Sequence, residues 1–155
     1  MKLEPVFTVS DRTLTERASG APYDCAKLAH IPLQWSDVEP AAPEAYDEAF
    51  LAELRLKLKA YEENPGKYAI IVPSAGEKAA ALASAESREQ YIAALNHAAR
   101  RIKDCAAVIG FAVPQEFTDA ESAALFMERL LQKHSHYVFF AKESQSAENM
   151  NIVLL

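Results

Sequence analysis

The feature that most constrains this chain is the regular alternation of short apolar runs with longer amphipathic stretches. Apolar runs rich in β-branched and aromatic residues begin near residues 5, 28, 68, 107, 137 and 151. The middle intervals of roughly 30–40 residues each contain a helical pattern, which is the spacing of βαβ units. This rhythm predicts an α/β fold with a mostly parallel sheet of five to six strands and flanking helices.

A few residues indicate where the predicted elements begin and how they are placed. Asp47 stands where a helix N-cap is expected, and Ser87–Gln90 and Thr118–Glu121 fit the capping-box pattern. Pro32 cannot donate to a strand ladder, so its apolar run is predicted to be at an edge, bulged or irregular. The connection to the last run has no helical pattern, which leaves an antiparallel last strand open.

Length, charge and cysteine usage limit the classes of protein to consider. The 155 residues fit one domain, spanning 1–155, and the formal net charge of −6 disfavours nucleic-acid binding. No apolar run approaches the ~20 residues needed to cross a membrane, and we see no signal peptide. Cys25 and Cys105 are far apart in sequence, as is typical of buried thiols in a reducing compartment. We therefore expect a cytoplasmic protein that binds no membrane.

The sequence contains no motif typical of a cofactor or metal site. Neither G-x-G-x-x-G nor G-x-x-x-x-G-K-[ST] occurs, and one glycine in Pro73–Gly76 does not make a phosphate cradle. His134 and His136 could ligate a metal, but no acidic residue or cysteine lies within a few residues of them. The basic cluster Arg100–Lys103 is expected at the end of a helix, where cations suit the helix dipole. We expect no cofactor and no metal.

Glu116 follows the apolar run Ala107–Val113, at the strand end where parallel α/β folds build their chemistry. The segment His30–Trp35 reads His-Ile-Pro-Leu-Gln-Trp, and the apolar run is followed by Gln115-Glu116-Phe117. These two motifs are similar to Arg-Ile-Pro-x-x-Trp and Asn-Glu-Pro, which end the second and fourth strands of a known family. From about Leu28 to Glu116 the chain thereby resembles the cellulase-type glycoside hydrolases, family 5 and its clan of (β/α)8 barrels. The resemblance implies a partial TIM-barrel-like sheet or a rearranged open sheet. It makes Glu116 the general acid/base.

The same resemblance implies a carbohydrate site built from Glu116, Trp35, Gln115 and His30. Trp35 would be a sugar-stacking platform and therefore partly exposed, Gln115 a polar anchor, and His30 a supporting group. The chain departs from the family in having His30 for the Arg and Gln115 for the Asn. Its 155 residues are also fewer than the roughly 200–250 of an eight-unit barrel. We therefore expect the family's seventh-strand nucleophile to be absent.

A retaining glycosidase needs two carboxyl groups about 5 Å apart. Asp11, Asp37, Glu39 and Glu143 are the candidates for the second carboxylate, and topology favours Glu143. Three functions follow. The first is a catalytically degenerate glycoside-hydrolase-like protein that binds an oligosaccharide at the strand C-terminal edge. The second is a structural or protein-interaction domain without a small-molecule site, and the third is an active glycosidase with Glu116 as general acid. Open sheet edges also predict a homodimer.

Overall fold

The computed structural model describes residues 3–146 and 151–155. The strands in these residues are β1 (Phe7–Ser10), β2 (Thr13–Glu16), β3 (Ala29–Gln34), β4 (Ala69–Ser74), β5 (Val108–Ala112), β6 (Val138–Ala141) and β7 (Ile152–Leu154). The α-helices are α1 (Trp35–Val38), α2 (Glu48–Ala60), α3 (Ala85–Arg101), α4 (Ala120–Leu131) and α5 (Glu143–Ser146). Short 3-10 helices cover Cys25–Lys27, Tyr61–Glu63 and Gly76–Ala83.

Strands β3 to β7 form one parallel sheet whose spatial order is the order of the strands in the chain. The α/β fold with a mostly parallel sheet is therefore confirmed, with five strands. Crossovers between neighbouring parallel strands share one hand, so successive connections pass over the same face of the sheet. The sheet is open, since β3 and β7 each have a single strand partner in the part of the chain described here.

Both faces of this sheet are buried, which explains why its strands are continuous apolar runs rather than alternating ones. One face packs against the helices and the other packs against Phe7 and Leu14 of the β1–β2 hairpin. The sheet residues on the helix face include Ile71, Phe111, Phe139 and Ile152. Those on the hairpin face include Ile70, Ile109, Phe140 and Val153.

The first and last apolar runs differ from what the sequence suggests. The run that begins at Pro5 does not join the main sheet but forms the hairpin β1–β2, in which Ser10 pairs with Thr13. Its two turn residues, Asp11 and Arg12, both have positive φ, as a two-residue hairpin turn requires. The last strand, β7, runs parallel to β6, so the antiparallel alternative is wrong. The short helix α5 lies in this last connection, for which the sequence showed no helical pattern.

The three longer helices, α2, α3 and α4, begin at side-chain caps, two of which lie one to three residues from the predicted positions. Asp47 caps α2 as expected, accepting a hydrogen bond from Phe50 N at 3.0 Å. The caps of α3 and α4 are Ser84 and Asp119, so both capping-box predictions are displaced. Within the described residues, no helix is long and apolar enough to cross a membrane.

Candidate functional site

The segments that follow β3, β4 and β5 meet at the C-terminal edge of the sheet, and Glu116 lies there on the loop after β5. Its Oε1 accepts a hydrogen bond of 2.9 Å from the hydroxyl of Tyr91, a buried residue of α3. Burial raises the pKa of Tyr91 far above its usual range, and the Glu116 carboxylate raises it further. Tyr91 is therefore a permanent donor that orients a partly exposed carboxylate.

Trp35 lies at the same edge, but the expectation that it is exposed is wrong. Its exposure is 2 %, and its indole stacks on Tyr91 with ring centroids 5.0 Å apart. Lys78 Nζ lies 4.8 Å from the centroid of the indole. Helix α1 begins at Trp35 directly after β3, and the indole joins the core beneath the helices. An indole enclosed in this way cannot be a stacking platform for a sugar.

Glu39 is a buried carboxylate that the sequence identified only as one of four candidates for a second acid. Its Oε1 accepts a hydrogen bond from Trp35 Nε1 at 2.8 Å, and its Oε2 accepts one from Glu44 N at 2.6 Å. Lys78 Nζ lies 3.7 Å from Oε1 and offsets the buried charge. These contacts form one connected set, the edge network, which consists of Lys78, Glu39, Trp35, Tyr91 and Glu116.

The end of β4 and the turn after it, Pro73–Gly76, pack closely against Gln34 and Ser36. Gly76 has φ +62°, and a Cβ there would lie 2.5 Å from Ser36 Oγ and 2.9 Å from Gln34 Oε1. A Cβ at this position would require the side chains of Gln34 and Ser36 to move, and the positive φ disfavours residues other than glycine. The glycine also begins the 3-10 helix that carries Lys78.

Of the other two predicted ligand residues, Gln115 lies at this edge and His30 does not. Gln115 is exposed next to Glu116 at the edge. His30 is the second residue of β3, four residues before the strand ends, which is about 13 Å along the strand. The structure therefore does not bring His30 to Glu116. The expectation that it would rested on the motif alone.

A buried side chain that the sequence analysis missed holds the loop of Glu116 in place. Gln145 Nε2 donates hydrogen bonds of 2.9 Å to the carbonyl oxygens of both Pro114 and Phe117. Its Oε1 accepts a hydrogen bond from Lys142 N at 2.9 Å. Gln145 thus fixes the loop from both ends. A glutamine in a polar stretch carries no pattern that would have indicated this role.

The four candidates for a second carboxylate lie in different surroundings. Asp11 is in the hairpin turn, and Asp37 and Glu143 are exposed on α1 and α5. Glu39 is held by its own hydrogen bonds. The stacked rings of Trp35 and Tyr91 lie between Glu39 and Glu116 in this chain of contacts. The arrangement orients one carboxylate and buries the other.

Among the described residues, no group of three or more His, Cys, Asp or Glu side chains could hold a metal ion. In comparisons with known proteins, no protein-family model matches the chain, and no curated protein matches its sequence. The resemblance to cellulase-type hydrolases therefore stays a prediction that rests on the motifs themselves.

Proposed function

We propose that this chain is a non-hydrolytic, glycoside-hydrolase-like protein that binds an oligosaccharide at the C-terminal edge of its sheet. The observation that carries the proposal is the hydrogen bond from buried Tyr91 to partly exposed Glu116. It presents a single oriented carboxylate at the strand end where α/β enzymes bind their substrates. Glu39 is enclosed by its own contacts, which argues against its pairing with Glu116 for hydrolysis.

The polar groups at this edge suit the hydroxyl groups of a sugar. The Glu116 carboxylate accepts hydrogen bonds, and the exposed carboxamides of Gln115 and Gln34 both donate and accept them. Trp35 contributes by supporting Tyr91 from below. Because both aromatic residues of the edge network, Trp35 and Tyr91, are buried, we expect weak binding through hydrogen bonds.

The test is a thermal-shift screen with cello-, xylo-, manno- and chito-oligosaccharides. Glu116→Gln keeps an acceptor for Tyr91 but removes the charge, and Glu121→Gln, an exposed glutamate on α4, is the matched control. A ligand at 100 times its Kd adds about 2.7 kcal/mol of stability. We expect a shift in the wild type and in Glu121→Gln that is reduced in Glu116→Gln. A flat response across the panel contradicts sugar binding, and release of reducing sugar contradicts the absence of hydrolysis.

A second candidate function is protein interaction through the open edge of the sheet. It is favoured by exposed leucines at the end of β7 and directly after it. Leu154 and Leu155 are 38 % and 55 % exposed at the β7 edge. Exposed apolar residues on an edge strand invite pairing with another chain. If a homodimer forms there, light scattering will give twice the monomer mass, and Leu154→Lys with Leu155→Lys will return the monomer. A monomeric wild type rejects this candidate.

A further inference from the structure

A groove with a volume of about 780 Å³ lies between α3, α4 and the loop that leads into β6. It is at the N-terminal end of the strands, at the opposite edge of the sheet from the edge network. Its lining includes Asn96, Arg100, Lys103, Arg129, Lys133 and His136. We refer to these six residues as the cationic groove.

Positive charge in the cationic groove is not neutralised by neighbouring acids. The lining contains four Lys and Arg side chains and one carboxylate, Glu89, which is paired with Arg129 at 2.8 Å. Arg100, Lys103 and Lys133 make no ion pair with any residue in the described ranges. A chain with a formal net charge of −6 thus gathers unpaired cations around this groove.

The groove cations are not held by hydrogen bonds to the helix ends. Ile102 N donates to the carbonyl oxygens of Ala98 and Ala99, and Gln132 N donates to that of Glu128. In the described structure, none of the three unpaired groove cations donates a hydrogen bond to a carbonyl oxygen at the end of α3 or α4. These side chains therefore remain available to a ligand.

Two polar atoms in the groove residues lack hydrogen-bond partners in the structure as described. They are Asn96 Oδ1 and His136 Nε2, and both are enclosed. Asn96 Nδ2 donates to the carbonyl oxygen of Arg129 at 3.3 Å, which leaves Oδ1 as an acceptor that needs a donor. Enclosed polar atoms without partners are unfavourable, so a rotation of the Asn96 side chain that brings Oδ1 to a ligand hydroxyl group in the groove would be favourable.

We propose that the cationic groove binds a small phosphate ester that carries hydroxyl groups, of the class of sugar phosphates. The phosphate meets Arg100, Lys103 and Lys133 through charge-assisted hydrogen bonds. A hydroxyl group of the ligand donates to Asn96. The volume lies within the range of about 300–1,000 Å³ that is usual for small-molecule sites. This site is separate from the oligosaccharide edge and does not depend on it.

The test is calorimetric titration of the whole chain with three probes: glucose 6-phosphate, inorganic phosphate and glucose. We expect glucose 6-phosphate to bind at least about tenfold more tightly than phosphate, since each added hydrogen bond contributes about that factor. Glucose alone is expected to give no binding at the same concentrations. Raising the salt concentration should weaken the binding of glucose 6-phosphate.

Variants localise the site. Arg100→Gln and Lys103→Gln each remove one exposed cation, and each should weaken glucose 6-phosphate binding about tenfold. Lys57→Gln is the matched control, because Lys57 is exposed in the last turn of α2, outside the groove. Equal affinity for phosphate and glucose 6-phosphate, no binding of either, or an equal effect of Lys57→Gln would each overturn the proposal. Glu116→Gln should leave this binding unchanged.

Discussion

The hydroxyl of Tyr91 donates a hydrogen bond of 2.9 Å to Oε1 of Glu116, and it thereby joins a fully buried residue of α3 to a partly exposed loop. The phenol ring is itself stacked on Trp35. Since Tyr91 has no exposed surface, water cannot replace the carboxylate as acceptor without a rearrangement of the loop. The bond therefore ties the position of Glu116 to the core.

We expect Glu116→Ala to destabilise the chain by about 1–3 kcal/mol, because it leaves the Tyr91 hydroxyl buried without an acceptor. Glu116→Gln retains an acceptor and should cost less than about 1 kcal/mol. Urea denaturation at pH 7 measures both values. Tyr91→Phe provides the control: in that background Glu116→Ala should cost markedly less. An equal cost in both backgrounds would show that the hydrogen bond contributes nothing.

The fold could be predicted because the strands of a sheet that is buried on both faces are continuous apolar runs. The positions of Asp47 before α2 and of Glu116 after β5 could also be predicted, since each residue is close to an element with a clear apolar pattern. The hairpin was missed because its turn, Asp11-Arg12, adopts positive φ without a glycine. Its second strand, β2, has only one buried residue, Leu14.

The edge network could not be predicted from the sequence. Its five residues are distributed between positions 35 and 116 and come together only through tertiary packing. The direction of the Trp35 side chain depends on α1 beginning immediately after β3, which no residue pattern indicated. The burial of Glu39 follows from that same turn, because Trp35 and Glu39 are four residues apart on it.

Glu39 is expected to be the most sensitive carboxylate in the chain. Glu39→Ala removes the acceptor of Trp35 Nε1 and of Glu44 N, and it leaves Lys78 unpaired with 21 % of its side chain exposed. We expect a loss of about 3 kcal/mol, at the low end for a broken buried pair because Lys78 can reach water. Glu39→Gln keeps one acceptor and should cost less.

The fluorescence of Trp35, the only tryptophan, reports unfolding of the Glu39 variants directly. Asp37→Ala, at an exposed position on α1, is the matched control and should change stability by less than about 0.5 kcal/mol. If Glu39→Ala proves as mild as Asp37→Ala, the buried carboxylate does not hold the edge network together.

Ionised Asp104 should make a small contribution to the free energy of unfolding, and this contribution should be lost at acidic pH. Arg55 donates hydrogen bonds to both oxygens of this carboxylate and thereby lowers its pKa, and Lys59 lowers it further. A lowered folded-state pKa stabilises the protein above the unfolded value of about 3.9, and the effect is lost as pH falls through the folded value. The side chain is 45 % exposed, so solvent screens the pair.

Asp104→Asn is therefore expected to lower stability at pH 7 in low salt by no more than about 1 kcal/mol. The difference from wild type should shrink in 1 M NaCl and vanish below the folded pKa of Asp104. Urea denaturation between pH 7 and pH 2 measures this. A difference that persists unchanged at pH 2 would mean that the charge on Asp104 is not what stabilises the contact.

Gly110 is expected to be the least replaceable residue of the sheet. It pairs with Val138 across β5 and β6, and a Cβ at Gly110 would lie 1.8 Å from the Val138 carbonyl oxygen. Backbone atoms cannot move aside without separating the two strands, so Gly110→Ala should cost more than about 3 kcal/mol or prevent folding. Gly20→Ala is the control, because Gly20 has positive φ but no atom within 4 Å of its added Cβ, and strain alone should cost about 1–2 kcal/mol. The two variants are compared by their soluble yield and by the midpoints of their urea denaturation. If Gly110→Ala is as stable as Gly20→Ala, the close approach of β5 and β6 is contradicted.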